Sequence, residues 1–150
     1  MTESEQLPIG MLALQLHRAF EAECFERLAA AGFTGLRMRH SILLEALGPE
    51  GSRITTLAAQ LGMSKQAMGE LVDDLESGGY LERRSDPTDR RARIIRFTAR
   101  GQRALAMAYE IIPAIEREYA QLVGAERYRD ARGTLGDLVG ALAVPNGENP

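Results

Sequence analysis

Residues Tyr80–Gly101 read YLERRSDPTDRRARIIRFTARG, two short β-prone runs around a polar turn. The runs are Tyr80–Arg84 and Arg93–Phe97, and the turn is Ser85-Asp86-Pro87-Thr88-Asp89-Arg90. Pro initiates a turn by fixing φ, and Asp does so by bonding its side chain to nearby backbone. The connection is longer than a two-residue hairpin, so the spacing predicts a loop projecting between antiparallel strands. From Glu82 to Arg103 eight arginines stand against three acids, a local balance of +5 in a chain whose formal net charge is −3. Like charges at that density repel, and surface exposure or an anionic partner relieves the repulsion.

Immediately upstream, Ile54–Gly79 reads ITTLAAQLGMSKQAMGELVDDLESGG. Thr55 is placed to N-cap a short helix Thr56–Leu61, which Gly62 ends in a left-handed conformation. Ser64 then N-caps a second helix, Lys65–Ser77, whose apolar positions Ala67/Met68, Leu71/Val72 and Leu75 recur at helical spacing. Gly78-Gly79 stops it and releases the chain into the first strand. Two short helices joined by a Gly-containing turn make a helix-turn-helix, and the hairpin after it makes it winged.

Three segments carry a family resemblance: Asp86-Pro87-x-Asp89-Arg90-Arg91-Ala92, then Phe97-Thr98-x-x-Gly101, and upstream Leu57-Ala58…Leu61-Gly62-Met63-Ser64-Lys65-Gln66-Ala67. With them the chain resembles, over nearly its whole length, the MarR family of winged-helix transcriptional regulators. The resemblance implies double-stranded DNA as partner, a pseudo-palindromic operator and repression as the expected sign. Helix Lys65–Ser77 is expected in the major groove, entering by its N-terminal turn. There Ser64 and the free backbone N–H groups suit a phosphate. Lys65 reaches phosphate or guanine, and Gln66 has the two-pronged geometry for adenine. Ala67, Gly69 and Glu70 complete the expected groove-facing set. Gly69-Glu70 stand where many relatives carry Ser-Arg, and Glu70 reads either as an acceptor from cytosine N4 or as an exposed helix acid. In the family the wing's Asp holds a neighbouring Arg, which maps here to Asp89 with Arg91. The arginine inserted in the minor groove is then Arg91 or Arg90, with Arg83, Arg84 and Arg93 as phosphate contacts.

Hydrophobic content of 45% supports a core, but aromatics are 5% and Trp is absent, so Leu, Ile, Ala and Met must do most of the packing. No apolar run is long enough for a membrane span, and MTESEQLPIG lacks the basic-then-apolar pattern of a secretion signal. A single Cys excludes an intrachain disulfide framework and fits a reducing cytoplasm. Basic charge is local and nearly all arginine, 17 Arg to one Lys, and this asymmetry weighs more than the acidic sum.

The remaining chain reads as helix. Residues 1–7 and Pro145–Pro150 are expected to be disordered tails. From Ile9 to Ala30, Leu12, Leu16, Phe20, Cys24 and Leu28 form one stripe, and Leu36–Leu47 is a second helix ended by Gly48-Pro49-Glu50-Gly51. Arg53-Ile54 is a candidate third strand. Thr98 caps a helix running to Val123 through Pro113, with a kink expected there, and with Leu105, Ala108, Ile112, Ile115, Tyr119 and Leu122 as a seam. Glu126–Ala143 repeats the spacing with Tyr128, Ala131, Leu135, Leu138 and Leu142. The expected architecture is mainly α with a small β-hairpin wing, one domain over 1–150. Residues 36–98 are its winged helix-turn-helix, and 9–35 and 99–143 its dimerisation helices. The seams pair within one chain or, as preferred here, interlock in a two-fold homodimer suited to a palindrome.

Regulators of the resembling family often release DNA when a small aromatic or anionic compound enters a cleft beside the winged helix. His17, Arg39, His40 and Tyr109 are the candidate polar groups for such an effector. Cys24 raises an oxidant-sensing alternative, although it shares the stripe of Phe20 and Leu28 and has acids nearby, which disfavour a reactive thiolate. A winged helix that binds protein and not DNA is the other alternative. HExxH, Gly-x-Ser-x-Gly, a phosphate-binding GK[ST] and a Cys/His ligand cluster are all missing, so no enzyme and no cofactor is expected.

Overall fold

Periodicity and turn chemistry order the elements as α1 (Ile9–Ala30), α2 (Met38–Ala46), β1 (Ser52–Arg53), α3 (Ile54–Gln60), α4 (Lys65–Ser77), β2 (Leu81–Ser85), β3 (Arg93–Phe97), α5 (Ala99–Val123) and α6 (Ala125–Ala143). The computed structural model describes residues 7–89 and 91–143, so Arg90 and both expected tails, apart from Leu7, lie outside the described residues. The fold is mainly helical with a small antiparallel wing.

The chain divides into two compact units that meet within α5, one ending at Ile111 and the other starting at Ile112. In the first unit the core gathers Leu43 and Leu47 after α1, Leu57 of α3, and Met68, Leu71, Val72 and Leu75 of α4. Tyr80, Leu81 and Ile95 close it from the sheet side, with Phe33 and Phe97 packed at its edge. The four α4 residues are the ones expected from helical spacing, and they leave Lys65, Gln66, Glu70 and Asp73 on the exposed face.

The sheet has strand order β1-β3-β2, all antiparallel. Register pairs Leu81 with Phe97, Arg83 with Ile95 and Ser85 with Arg93. The first wing strand begins one residue later than expected because Tyr80 is engaged as the hinge. Its ring is buried, its carbonyl accepts from Thr98 N at 3.0 Å, and its hydroxyl donates to Thr34 O at 2.6 Å. β1 forms, but as Ser52–Arg53 and not Arg53-Ile54.

Two helix starts differ from expectation. Helix α3 begins at Ile54 with Arg53 as N-cap, so Thr55 lies inside its first turn. The reason is tertiary: Arg53 is held extended by pairing with β3, and the chain turns into helix as soon as it leaves the sheet. Helix α2 starts at Met38, because Arg37 is extended and its N–H donates to His40 Nδ1 at 3.1 Å. Ser64 caps α4 as expected, accepting from Ala67 N at 3.1 Å, and Gly62 is left-handed at φ +63°. Thr98 caps α5, accepting from Gly101 N at 3.0 Å, and α5 continues through Pro113.

The expected apolar stripes are only partly covered within one chain. In α1, Cys24 and Leu28 are buried while Leu12 and Leu16 are exposed. In α5 Ala104, Ile111 and Ile115 are buried, Ile112 is half-buried and Leu122 is exposed. Helix α6 has no buried residue, and Leu142 is 83% exposed. Gly124 at φ +93° separates α5 from α6, which starts at Ala125. No described helix is long and apolar enough to cross a membrane.

Candidate nucleic-acid interface

The first turn of α4 is exposed at Ser64, Lys65 and Gln66. Early N–H groups of a helix have no intrahelical partner, so this end offers donors and the positive pole of the helix dipole. Gln66 Nε2 leans on Glu70 Oε1 at 3.4 Å, which ties these two side chains to each other across one turn. Ala67 and Gly69 are half-buried, and Gly69 leaves open space above the helix where a side chain would stand.

The wing loop is built on Asp86. Its Oδ1 accepts from Thr88 N at 2.8 Å and Thr88 Oγ1 at 2.6 Å, and its Oδ2 accepts from Arg53 Nε at 2.8 Å and Nη2 at 2.6 Å. Thr88, then Arg53, hold this carboxyl well below the usual carboxylate range, and it is buried although charged. Backbone bonds from Asp86 N to Ala92 O and from Ala92 N to Asp89 O close the loop. The fork expected between Asp89 and Arg91 does not form as such. Asp89 accepts from the backbone N–H of Arg91 at 3.0 Å, and the acid–guanidinium fork is Asp86 with Arg53. The pattern Asp-x-Thr at 86–88, a side-chain-capped turn, was the signal available for this; Arg53, thirty-three residues upstream, carried none.

The arginines then separate. Arg83 is paired with Asp73, at 2.6 Å, and with Glu76, and these acids raise its pKa. Arg84 pairs with Glu82 on its own strand at 2.6 Å, and Arg96 with Glu50 at 3.4 Å. Arg100 lies over the Tyr80 ring at 4.9 Å and donates to Tyr80 Oη and Gly32 O, both at 3.1 Å. Arg93 donates to Ser85 Oγ at 3.1 Å. Among the described residues no carboxylate pairs with Arg91 or Arg93, and both are exposed. The +5 balance is thus reduced by the protein's own acids, and what remains unopposed lies beyond Asp89.

The effector candidates scatter. His17 pairs with Glu21 on its own helix at 3.2 Å, and Tyr109 is exposed. Arg39 and His40 do meet, both on Asp74 of α4, His40 through Nε2 at 3.4 Å. His40 is 2% exposed; burial lowers its pKa against the pull of Asp74, and acceptance from Arg37 N–H at Nδ1 makes the neutral ring the fitting form. Cys24 is buried, and burial, then Glu21, push its thiol up.

A helix-turn-helix followed by a three-stranded wing, with a capped recognition-type helix and exposed wing arginines, defines a winged helix-turn-helix protein. A sequence model of the MarR family matches residues 32–92. Over those residues the chain is similar to the MarR family of winged helix-turn-helix regulators. It is similar to the transcriptional regulator HosA of Escherichia coli O111:H-, 32% identical over 65 residues, 43% of this chain and 48% of that one. The chain thus matches about half the length of that curated relative. Among solved structures, a MarR-family transcriptional regulator from Rhodococcus sp. RHA1 is 25% identical with a TM-score of 0.63, covering 97% of this chain and 99% of that one. CouR from Rhodococcus jostii RHA1, solved with p-coumaroyl-CoA bound, is 25% identical with a TM-score of 0.64, covering 99% and 100%.

Proposed function

We propose that the protein is a sequence-specific regulator of transcription that binds double-stranded DNA as a homodimer on a pseudo-palindromic operator. The observation that carries this reading is the combination, in one compact unit, of the exposed, Ser64-capped start of α4 and a wing whose Arg91 and Arg93 are exposed and pair with no carboxylate among the described residues. Lys65 and Gln66 enter the major groove, with Ser64, Ala67, Gly69 and Glu70 around them. Arg91 or its neighbour Arg90 enters the minor groove, and Arg84 and Arg93 lie along phosphates. The family-model match over residues 32–92 and the similarity to HosA support the regulatory part.

Dimerisation is the role of residues 9–35 and 99–143 in this reading, with 36–98 as the DNA-reading part. The apolar residues left exposed on α1 and α6 support it, since one chain alone leaves Leu16 and Leu142 in water. Release by a small aromatic or anionic effector completes the reading, supported by CouR, which is 25% identical and was solved with p-coumaroyl-CoA bound. Such an effector acts only through unequal affinity for two dimer shapes. Selection of duplexes from a random pool, followed by sequencing, tests the reading: enrichment of an inverted repeat is expected, and a pool returned unenriched would leave the protein-binding alternative standing.

A further inference from the structure

We infer that Arg83 is a positioning residue, a strut that fixes the angle between the wing and helix α4, and not a phosphate contact; this rests on the DNA-binding reading above. Arg83 lies midway along β2, opposite Ile95. Its two terminal nitrogens reach two different carboxylates, Nη2 to Asp73 Oδ1 at 2.6 Å and Nη1 to Glu76 Oε2. Its backbone N–H also donates to Glu76 Oε1 at 3.3 Å. Asp73 and Glu76 are three residues apart and so share one face of α4, and a planar guanidinium is the side chain that spans such a pair. Its neighbour Arg84 takes its acid from β2 itself, so it ties the strand to nothing else.

Two further observations agree. The covalent link from α4 to β2 is Gly78-Gly79-Tyr80, with Gly79 at φ +74°. Glycine is the most permissive backbone available. Backbone bonds from Gly79 N to Glu76 O at 2.9 Å and from Tyr80 N to Leu75 O at 2.8 Å hold the turn itself, and Arg83 ties the strand beyond it to the helix through side chains. One guanidinium between two carboxylates also leaves the cluster with a net charge of −1. A phosphate approaching it meets repulsion, whereas Arg91 and Arg93 present no such barrier. A wing held at a fixed angle before DNA arrives avoids an ordering cost on binding.

The test uses the full-length protein and a duplex selected by the wild type. Arg83→Gln is expected to weaken binding about three- to tenfold, the scale of re-ordering one or two side chains, with the slope of log K against log salt unchanged. The double variant Asp73→Asn/Glu76→Gln is expected to weaken binding as well, and adding Arg83→Gln to it costs nothing more. Amide exchange in the free protein is expected to quicken in β2 and β3 and to stay the same in α2 and α3. A slope lower by about 0.9 in Arg83→Gln, the signature of one lost phosphate contact, would overturn the inference. So would tighter binding by the double variant, which is what removing two acids beside a phosphate contact must give. Should the wild type retain no duplex, the DNA reading falls by itself. The exchange measurement then decides the strut, and uniform quickening throughout the fold overturns it.

Discussion

Asp86 accepts four hydrogen bonds at the root of the wing, two from Thr88 and two from Arg53, and each favours the ionised form. Its folded-state titration therefore lies below that of an unfolded Asp. The sign follows from linkage: the stability it contributes is complete above the ordinary carboxylate range and is lost as pH falls through and below that range. Thermal melts from about pH 7 to about pH 3 are expected to show a shallower acid loss in Asp86→Asn than in wild type, with a lower melting point at neutral pH. Arg91 is the contrasting residue, exposed and unopposed. Arg91→Ala is expected to weaken operator binding by roughly 1–3 kcal/mol with an unchanged melt, read in a mobility-shift titration. Cys24 is buried with its thiol pushed up by desolvation, and reactivity follows the thiolate. Peroxide is expected to leave DNA binding equal in wild type and Cys24→Ser; loss confined to the wild type would establish the oxidant-sensing alternative.

At the scale of elements, the start of α5 packs tightly against the residue that leads into β2. A Cβ on Gly101 would lie 2.1 Å from the carbonyl oxygen of Tyr80 and 3.1 Å from the Phe97 ring. That oxygen also accepts from Thr98 N at 3.0 Å, so it cannot withdraw without breaking the link that starts α5. Gly101→Ala is expected to destabilise the fold by about 1–3 kcal/mol, the usual cost of overpacking, measured by urea denaturation. A change within experimental error would mean that α5 shifts freely against β2. Helix α4 shows the opposite economy: its buried positions, its Ser64 cap and its exposed acids are all set by local spacing, and they serve the core, the helix start and the ion pairs to Arg83 at once.

For the whole molecule, the exposed leucines carry the expectation. Leu122 and Leu142 are 80% and 83% exposed, and Leu16 is 50% exposed. Burying one leucine contributes about 1.5–3 kcal/mol, so leaving several in water is unfavourable unless a second copy covers them. Sedimentation equilibrium is expected to give a dimer, and Leu16→Glu or Leu142→Glu to weaken it by about tenfold or more in Kd. A wild-type monomer at every concentration would remove the two-fold symmetry from the proposed function. Helicity by circular dichroism should stay close to wild type in both variants, because neither side chain is part of the buried core.

The sequence by itself determined the elements whose causes are local. Helical spacing set α1, α4 and α5, Ser64 and Thr98 capped their helices, and Asp-Pro in a polar turn between two β-prone runs set the wing, because periodicity, caps and turns act over a few residues. The Ser64-capped, exposed start of α4 was legible for the same reason. Tertiary structure decided the fates of the arginines. Arg53 meets Asp86 across thirty-three residues and Arg83 meets Asp73 across ten, and a charge count along the chain cannot tell a guanidinium facing its own carboxylates from one facing outward. It also moved the starts of α2 and α3, where His40 and the β1–β3 pairing hold the preceding residue extended. Local patterns specify what a segment can form, whereas ion pairing and helix entry depend on which distant groups the folded chain brings within a few ångströms.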